Sequence, residues 1–340
     1  MILVTAAHGN QGQLLVPKLL AAEQPVRACV RTQASARHLR ALGVQEIVVG
    51  DISEPAVLAT AIRGVEKVYH VGPTVHPRER SMGLAVVDAA RDEGVKHLVF
   101  SSVLHAITTD LVQHEIKRDI EEHLLSSGLE FTILQPANYM LPLKLRPVFE
   151  QGVFELSWSL ERRQSLVDLG DVTDVACMAL IESERHAGAT YELAAPGRYT
   201  AHELGDIISR VLDRPIVVRQ IDADTYLKAW VGDADPQQVT HQISVLRAIS
   251  ARYSSHDFVG NPNVLTCCSG ARRPPSRPTY AASTTPSCAR ATGETQRQHD
   301  PDYRWGLRHR ARPGRGTAPP GQPGHHRRAA DCGADRCHSG

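Results

Sequence analysis

The chain has 340 residues, and its formal net charge of +1 hides an uneven distribution. Residues 267–340 hold 13 Arg, no Lys and 5 acidic residues, so residues 1–266 carry a net charge of −7. A mildly acidic body of that length can bury a large core, and its charge argues against nucleic acid as its direct partner. Of the seven Cys only Cys29 and Cys177 lie in that body, which gives neither a disulfide framework nor a zinc-ligand spacing, so no metal is expected. No leader pattern precedes the first apolar run, and no run is long enough to cross a bilayer. The expectation is a cytoplasmic protein without a membrane partner.

Ile2, Leu3 and Val4 form a short apolar run, the pattern of a strand buried on both faces. A turn with the spacing Ala6-x-x-Gly9-x-x-Gly12 follows, and an amphipathic helix is expected over residues 11–22. Strand, tight turn and helix N-terminus form the geometry that binds a pyrophosphate. Backbone N–H groups point outward there, the helix dipole favours negative charge, and glycines let phosphate oxygens approach the main chain. Alanine at the first small position costs roughly 1 kcal/mol if that residue needs a positive φ, and little if it needs only a small side chain.

The following segments alternate in type. Strands are expected over residues 26–30, 46–49, 67–71, 96–101 and 131–135, and helices over 34–42, 55–63, 80–93 and 111–127. Short strands separated by helical patterns predict a doubly wound parallel α/β sheet with helices on both faces. Right-handed crossovers bring the strand C-terminal ends to one edge, so the turn at 6–12, Arg31, Asp51, Gly72, Ser101 and Pro136 should line one crevice. The pattern over residues 137–266 is less regular. Asp171-Val-Thr-Asp174 signals a helix start, a short strand is expected at 191–193, Thr200 caps a helix over 201–212, and 216–219 reads as a further strand. This part is expected to form a small α+β cap over the crevice, together with elements that return to the core. From Cys267 onward Leu307 is the only large aliphatic residue, so no packed core can form and the segment is expected to be disordered. Its Arg, Pro, Gly, Ala, His and Cys bias matches out-of-frame translation of GC-rich DNA, which is preferred to a functional basic arm. His325, His326, Cys332, Cys337 and His338 match no standard zinc spacing.

Several motifs together carry a family resemblance. Val4-Thr-Ala-Ala-His-Gly-Asn-Gln-Gly12, Val30-Arg31, Gly50-Asp51, Ile120-Glu-Glu-His-Leu124, Gly128-Leu-Glu-Phe-Thr-Ile-Leu-Gln-Pro136, Asp171-Val-Thr-Asp-Val-Ala176 and Gly260-Asn-Pro-Asn-Val264 occur in that order. The set resembles NmrA-like proteins, atypical members of the short-chain dehydrogenase/reductase superfamily, over residues 1–266. The resemblance implies a Rossmann core over 1–136, a substrate region over 137–266, and a nicotinamide dinucleotide as cofactor. It implies that Ala6, Ala7, His8, Gly9, Asn10, Gln11 and Gly12 surround the pyrophosphate. It carries Asp51 and Ile52 to the adenine, Gly72, Pro73 and Thr74 to the pyrophosphate and ribose, and Pro136, Asn138 and Tyr139 to the nicotinamide side.

Arg31 stands where an acidic residue would bind the ribose hydroxyls. A guanidinium there favours a 2′-phosphate, so NADP(H) is expected over NAD(H). The superfamily's usual Tyr-x-x-x-Lys pair, in which lysine lowers the tyrosine pKa and tyrosine donates a proton, is absent: no Tyr has Lys four residues later. The helix carries Gln113-His114-Glu115-Ile116-Lys117 instead. Lys117 holds the family's lysine position and should contact the cofactor ribose. His114, three residues earlier, shares its helix face and is the candidate proton donor. Ser101 and Ser102 end a strand where a catalytic serine often sits. Two functions follow from the resemblance: an NADPH-dependent reductase of a small carbonyl or quinone-type acceptor, or a non-catalytic redox sensor acting through a protein partner.

Overall fold

Runs rich in Val, Ile and Leu form strands where the sequence pattern puts them, each within a residue or two: β1 (Ile2–Val4), β2 (Val26–Val30), β3 (Glu46–Val49), β4 (Lys67–Val71), β5 (His97–Ser101) and β6 (Phe131–Pro136). The computed structural model describes residues 1–73, 76–141, 145–226 and 236–268. The helices between the strands are α1 (Gly12–Ala21), α2 (Gln33–Ala41), α3 (Pro55–Ile62), α4 (Glu79–Asp92) and α5 (Val112–Leu125). Their ends follow local chemistry. The Thr32 hydroxyl accepts the Ser35 amide to cap α2, and Pro55 opens α3, where a missing N–H costs nothing.

Among the described residues these strands and a later one, β10 (Ala189–Leu193), form one seven-stranded sheet in the order β10-β6-β5-β4-β1-β2-β3. Every neighbouring pair is parallel. Alternation along β1 sends Ile2 and Val4 into a core shared with α1, α2 and the later helix α7 (Leu169–Ile181), and Leu3 into a second core under α3, α4 and α5. Strand order reverses between β1 and β4. Such a switch point opens a crevice above the strand ends.

Beyond β6 the chain has two destinations. β7 (Asn138–Tyr139) pairs with β9 (Leu166–Val167). α7 (Leu169–Ile181) starts at Asp168, whose carboxylate accepts the Gly170 amide, and it returns to the core beside α1. α8 (Ser183–His186) leads into β10 (Ala189–Leu193), which completes the main sheet by pairing with β6 in the register Ala189↔Thr132 to Leu193↔Pro136.

A separate small core holds Leu145, Val148, Phe154, Leu156, Leu204 and Ile208. It is built from α6 (Arg146–Gln151), β8 (Val153–Leu156), α9 (Ala201–Leu212) and β11 (Val217–Gln220). β8 and β11 pair in parallel. Thr200 and Glu203 form a full capping box at the start of α9. α10 (Pro236–Ser255) brings Tyr253 onto Phe258, and α11 (Asn263–Cys268) buries Leu265. The shift in composition at Cys267 therefore falls inside a helix; residues 269–340 lie outside the described part. Among the described residues no helix is long and apolar enough to cross a membrane.

Candidate functional site

The turn after β1 is shaped by steric need. Among the described residues neither Ala6, Gly9 nor Gly12 has a positive φ. Ala6 thus needs only a small side chain, and alanine fits. Gly12 is required for close packing: a Cβ there would lie 2.2 Å from the Ala6 carbonyl oxygen and 2.6 Å from that of Ala7. At Gly9 a Cβ would come within 3.2 Å of the same Ala6 oxygen. Among the described residues the amides of Asn10, Gln11 and Gly12 have no backbone acceptor, and the first turn of α1 carries no acidic residue. Unpaired N–H groups at the positive end of a ten-residue helix suit a phosphate.

A crevice of about 490 Å³ opens above this turn, within the range of small-molecule sites. Ala6, His8, Gly9, Asn10 and Gln11 line it from the turn, Arg31 from the end of β2, Asp51 and Ile52 from the end of β3, and Gly72 and Pro73 from the end of β4. Arg31 is exposed, and its guanidinium makes no hydrogen bond among the described residues. Beside it, His8 Nδ1 lies 3.1 Å from Ser35 Oγ. Burial alone would raise the Asp51 carboxyl. Hydrogen bonds from Ser53, with Arg78 at 3.1 Å and Arg31 nearby, outweigh it and hold Asp51 below the usual carboxylate range.

The remaining expected residues sit differently. Ala7 packs in the core and Gly12 under the turn. Pro136 is buried at the end of β6, where its carbonyl accepts the Leu104 amide at 2.9 Å. Asn138 Nδ2 donates to Gln164 Oε1 at 2.6 Å, on the cap side. Thr74 lies outside the described residues.

α5 turns its expected residues inward. Lys117 is 6% exposed and Glu79 0%, and Lys117 Nζ lies 2.8 Å from Glu79 Oε1. The Lys117 ammonium also donates to the Ser101 carbonyl at 3.3 Å and lies over the Phe100 ring. His114 is buried, with Nδ1 2.9 Å from the His105 carbonyl oxygen and its ring edge against Phe258. Neither side chain is part of the crevice lining.

A buried network forms the floor instead. Gln11 Nε2 donates to Ser101 Oγ at 3.0 Å and to the Tyr139 hydroxyl at 2.9 Å, and the Tyr69 hydroxyl donates to Gln11 Oε1. Burial pushes the Tyr139 phenol up to about 12, against the lowering effect of Ser101 and Gln11. Tyr139 therefore keeps its proton at neutral pH. His70 is a site residue that no sequence motif singles out. It is 1% exposed, its Nδ1 lies 3.0 Å from Thr5 Oγ1, its Nε2 has no hydrogen-bond partner among the described residues, and the residue lines the crevice. Burial first, then the nearby Lys117 charge, holds His70 down at about 3, so it is neutral. The only sequence signal for it is its place two residues before Gly72.

The crevice fits a dinucleotide by its turn amides, which have no backbone acceptor among the described residues, and by its close glycine packing. Comparison with known proteins agrees. Residues 1–257 match the model of the NmrA-like family. An NAD(P)H azoreductase from Xenophilus azovorans is 32% identical over 255 residues, which cover 74% of this chain and 87% of that one. Quinone oxidoreductase 2 of Escherichia coli K12 is 25% identical over 235 residues, 67% and 80% of the two chains. The fold is similar to that of a Citrobacter triphenylmethane reductase complexed with NADP(H), with a TM-score of 0.68, 24% identity, and coverage of 83% of this chain and 99% of that one. With the phosphate turn, the switch-point crevice and a family match over most of its length, this chain belongs to the NmrA-like family.

Proposed function

We propose that this protein is an NADP(H)-preferring oxidoreductase that reduces a small carbonyl, quinone-type or azo acceptor. The observation that carries the proposal is the pairing, in one crevice, of the Asn10 and Gln11 amides, which have no backbone acceptor among the described residues, with the exposed Arg31 guanidinium at the end of β2. The amides hold the pyrophosphate, and Arg31 reads the 2′-phosphate by a charge-assisted contact. Asp51 and Ile52 receive the adenine, and Gly72 and Pro73 the adjoining ribose. A nicotinamide dinucleotide held by these residues would supply the hydride for the acceptor.

Tyr139 supplies the matching proton. Its hydroxyl is protonated at neutral pH, is fixed by Gln11, and belongs to a residue that lines the crevice. Tyr139 is thus a stronger candidate than His114, which points at the His105 carbonyl. Lys117 supports that end through its contact with Ser101 and its ion pair with Glu79. The similarity to an NAD(P)H azoreductase and to a quinone oxidoreductase supports the acceptor class.

The test is NADPH oxidation, followed by absorbance, against a panel of quinones, azo dyes and aldehydes, with NADPH and NADH affinities measured in parallel. Turnover with a quinone or azo compound is expected. Tight NADPH binding with no turnover on the whole panel would refute the enzyme and favour a redox sensor.

A further inference from the structure

Residues 1–266 sum to −7, so a polyanion approaching the body meets repulsion on average. One stretch reverses that sign. Between Glu23 and Glu46 the chain has no acidic residue and four arginines, Arg27, Arg31, Arg37 and Arg40. Glu46 holds Arg27 at 2.7 Å. The other three are exposed, and the Arg37 and Arg40 side chains make no ion pair or hydrogen bond among the described residues. The two stand three apart on α2, where like charges weaken a helix slightly, and α2 has no acidic residue to offset them. Arg40 suits the C-terminal turn of the helix, but Arg37, at mid-helix, gains nothing there.

α2 begins at the crevice. His8 joins it to the phosphate turn: its Nδ1 lies 3.1 Å from Ser35 Oγ, and its ring meets the His38 ring edge-on at 5.1 Å. Thr32 and Ser35 line the crevice, whereas Arg37 and Arg40 stand beyond its rim. At ~1.5 Å per residue, Arg37 and Arg40 lie about 7 and 12 Å along the helix axis from Thr32. Those spacings are comparable with the ~8 Å Debye length at physiological salt and well inside the ~30 Å at 0.01 M. The carboxylates of the adjoining strand β3 are occupied, Glu46 by Arg27 and Asp51, just after the strand, by Arg78 at 3.1 Å. Resting on the reading of the crevice as an NADP(H) site, we infer that Arg37 and Arg40 form an electrostatic approach to it. They attract the dinucleotide and speed its capture by Arg31 and the turn amides without touching it once bound. NADPH suits such a field, because its 2′-phosphate adds about 1.5–2 negative charges to those of the pyrophosphate.

The experiment is stopped-flow mixing of the full-length protein with NADPH in the absence of any acceptor, with dissociation measured by displacement with excess NADP⁺. Three proteins are compared. They are the parent, the double variant Arg37→Gln/Arg40→Gln, and the control Arg198→Gln/Arg210→Gln. The control loses the same charge from two exposed cap arginines that do not line the crevice. At ~0.01 M ionic strength the α2 variant should associate with NADPH about fivefold more slowly than the parent, with dissociation unchanged. The difference should fall below about twofold at ~0.5 M, where screening removes the field and an intact site binds as before. The cap variant should associate at the parent's rate. An unaltered association rate in the α2 variant, faster dissociation in place of slower association, or an equal slowing in the cap variant overturns the inference. The two readings fail separately. Failure of the parent to bind NADPH sinks the cofactor site and the approach with it. Binding by the parent with an unaltered rate in the α2 variant sinks only the approach.

Discussion

Arg31→Asp tests the cofactor reading most directly. In the parent the guanidinium stands at the crevice rim, exposed and without a hydrogen bond among the described residues. A hydrogen bond from such a charged group contributes about 1.5–3 kcal/mol, and exposure to solvent and salt reduces it toward the lower figure. A preference for NADPH over NADH of about tenfold or more is expected at low ionic strength. The introduced carboxylate would turn attraction of the 2′-phosphate into repulsion and would accept hydrogen bonds from the ribose hydroxyls of NADH. Asp51, already held by Arg78 and Ser53, leaves no excess positive charge at the rim to compensate. The variant should lose at least about a hundredfold in NADPH-to-NADH discrimination and come to prefer NADH. The assay is calorimetric titration of both cofactors at two salt concentrations, with the parent's preference shrinking as salt rises. Equal affinity of the parent for the two cofactors, or an unchanged preference in the variant, would rule out this role for Arg31.

Four further outcomes are expected. Tyr139→Phe should lower kcat for a quinone acceptor by about 10²- to 10⁴-fold, with NADPH affinity little changed in fluorescence titration; an unchanged kcat would remove Tyr139 as the donor. Lys117→Met leaves the Glu79 carboxylate buried without its countercharge and should cost about 3–5 kcal/mol in urea denaturation, while the double variant Glu79→Leu/Lys117→Met should regain most of that loss. Gly12→Ala drives a Cβ to 2.2 Å from the Ala6 carbonyl oxygen, so the turn must shift. Thermal melts and NADPH titration should show about 1–3 kcal/mol of lost stability together with weakened binding. Burial holds His70 down at about 3, and burial with nearby Lys67 and His186 holds His97 at about 4, so both stay neutral in the fold and take protons when it unfolds. The unfolded state binds more protons below about pH 6.5, so stability should fall from there toward pH 4, by up to about 1.4 kcal/mol per pH unit for each histidine. Urea midpoints at pH 7, 6 and 5 measure this, and His97→Gln should flatten the slope.

Strands β1 to β6 and their helices were legible in the sequence alone, as were four of the six strand-end positions expected on the crevice; Ser101 and Pro136 are buried and do not line it. Those features depend on local rules: a period of two in strands and helical spacing between them, as does the cap at Thr200 further along the chain. The handedness of the crossovers then leaves few ways to connect them, so the turn at 6–12, Arg31, Asp51 and Gly72 fall to one crevice on sequence grounds. Ala6 marks a limit of such local rules. Whether alanine strains the turn depends on its φ, which is set by the surrounding packing.

The remaining features came from tertiary packing, because the contacts that settle them join residues far apart in the chain. Lys117 looked available to a ribose, yet its ammonium meets Glu79 from α4. His114 shares the Lys117 helix face, but that face is packed against Phe258 and the His105 carbonyl. The edge of β6 recruited β10, and the short β8 and β11 pair although they lie far apart in the chain. His70 gained its interest from a buried nitrogen that packing leaves without a partner among the described residues. A local pattern records which face of an element is apolar; which buried polar group is left without a partner depends on what the whole chain brings against it.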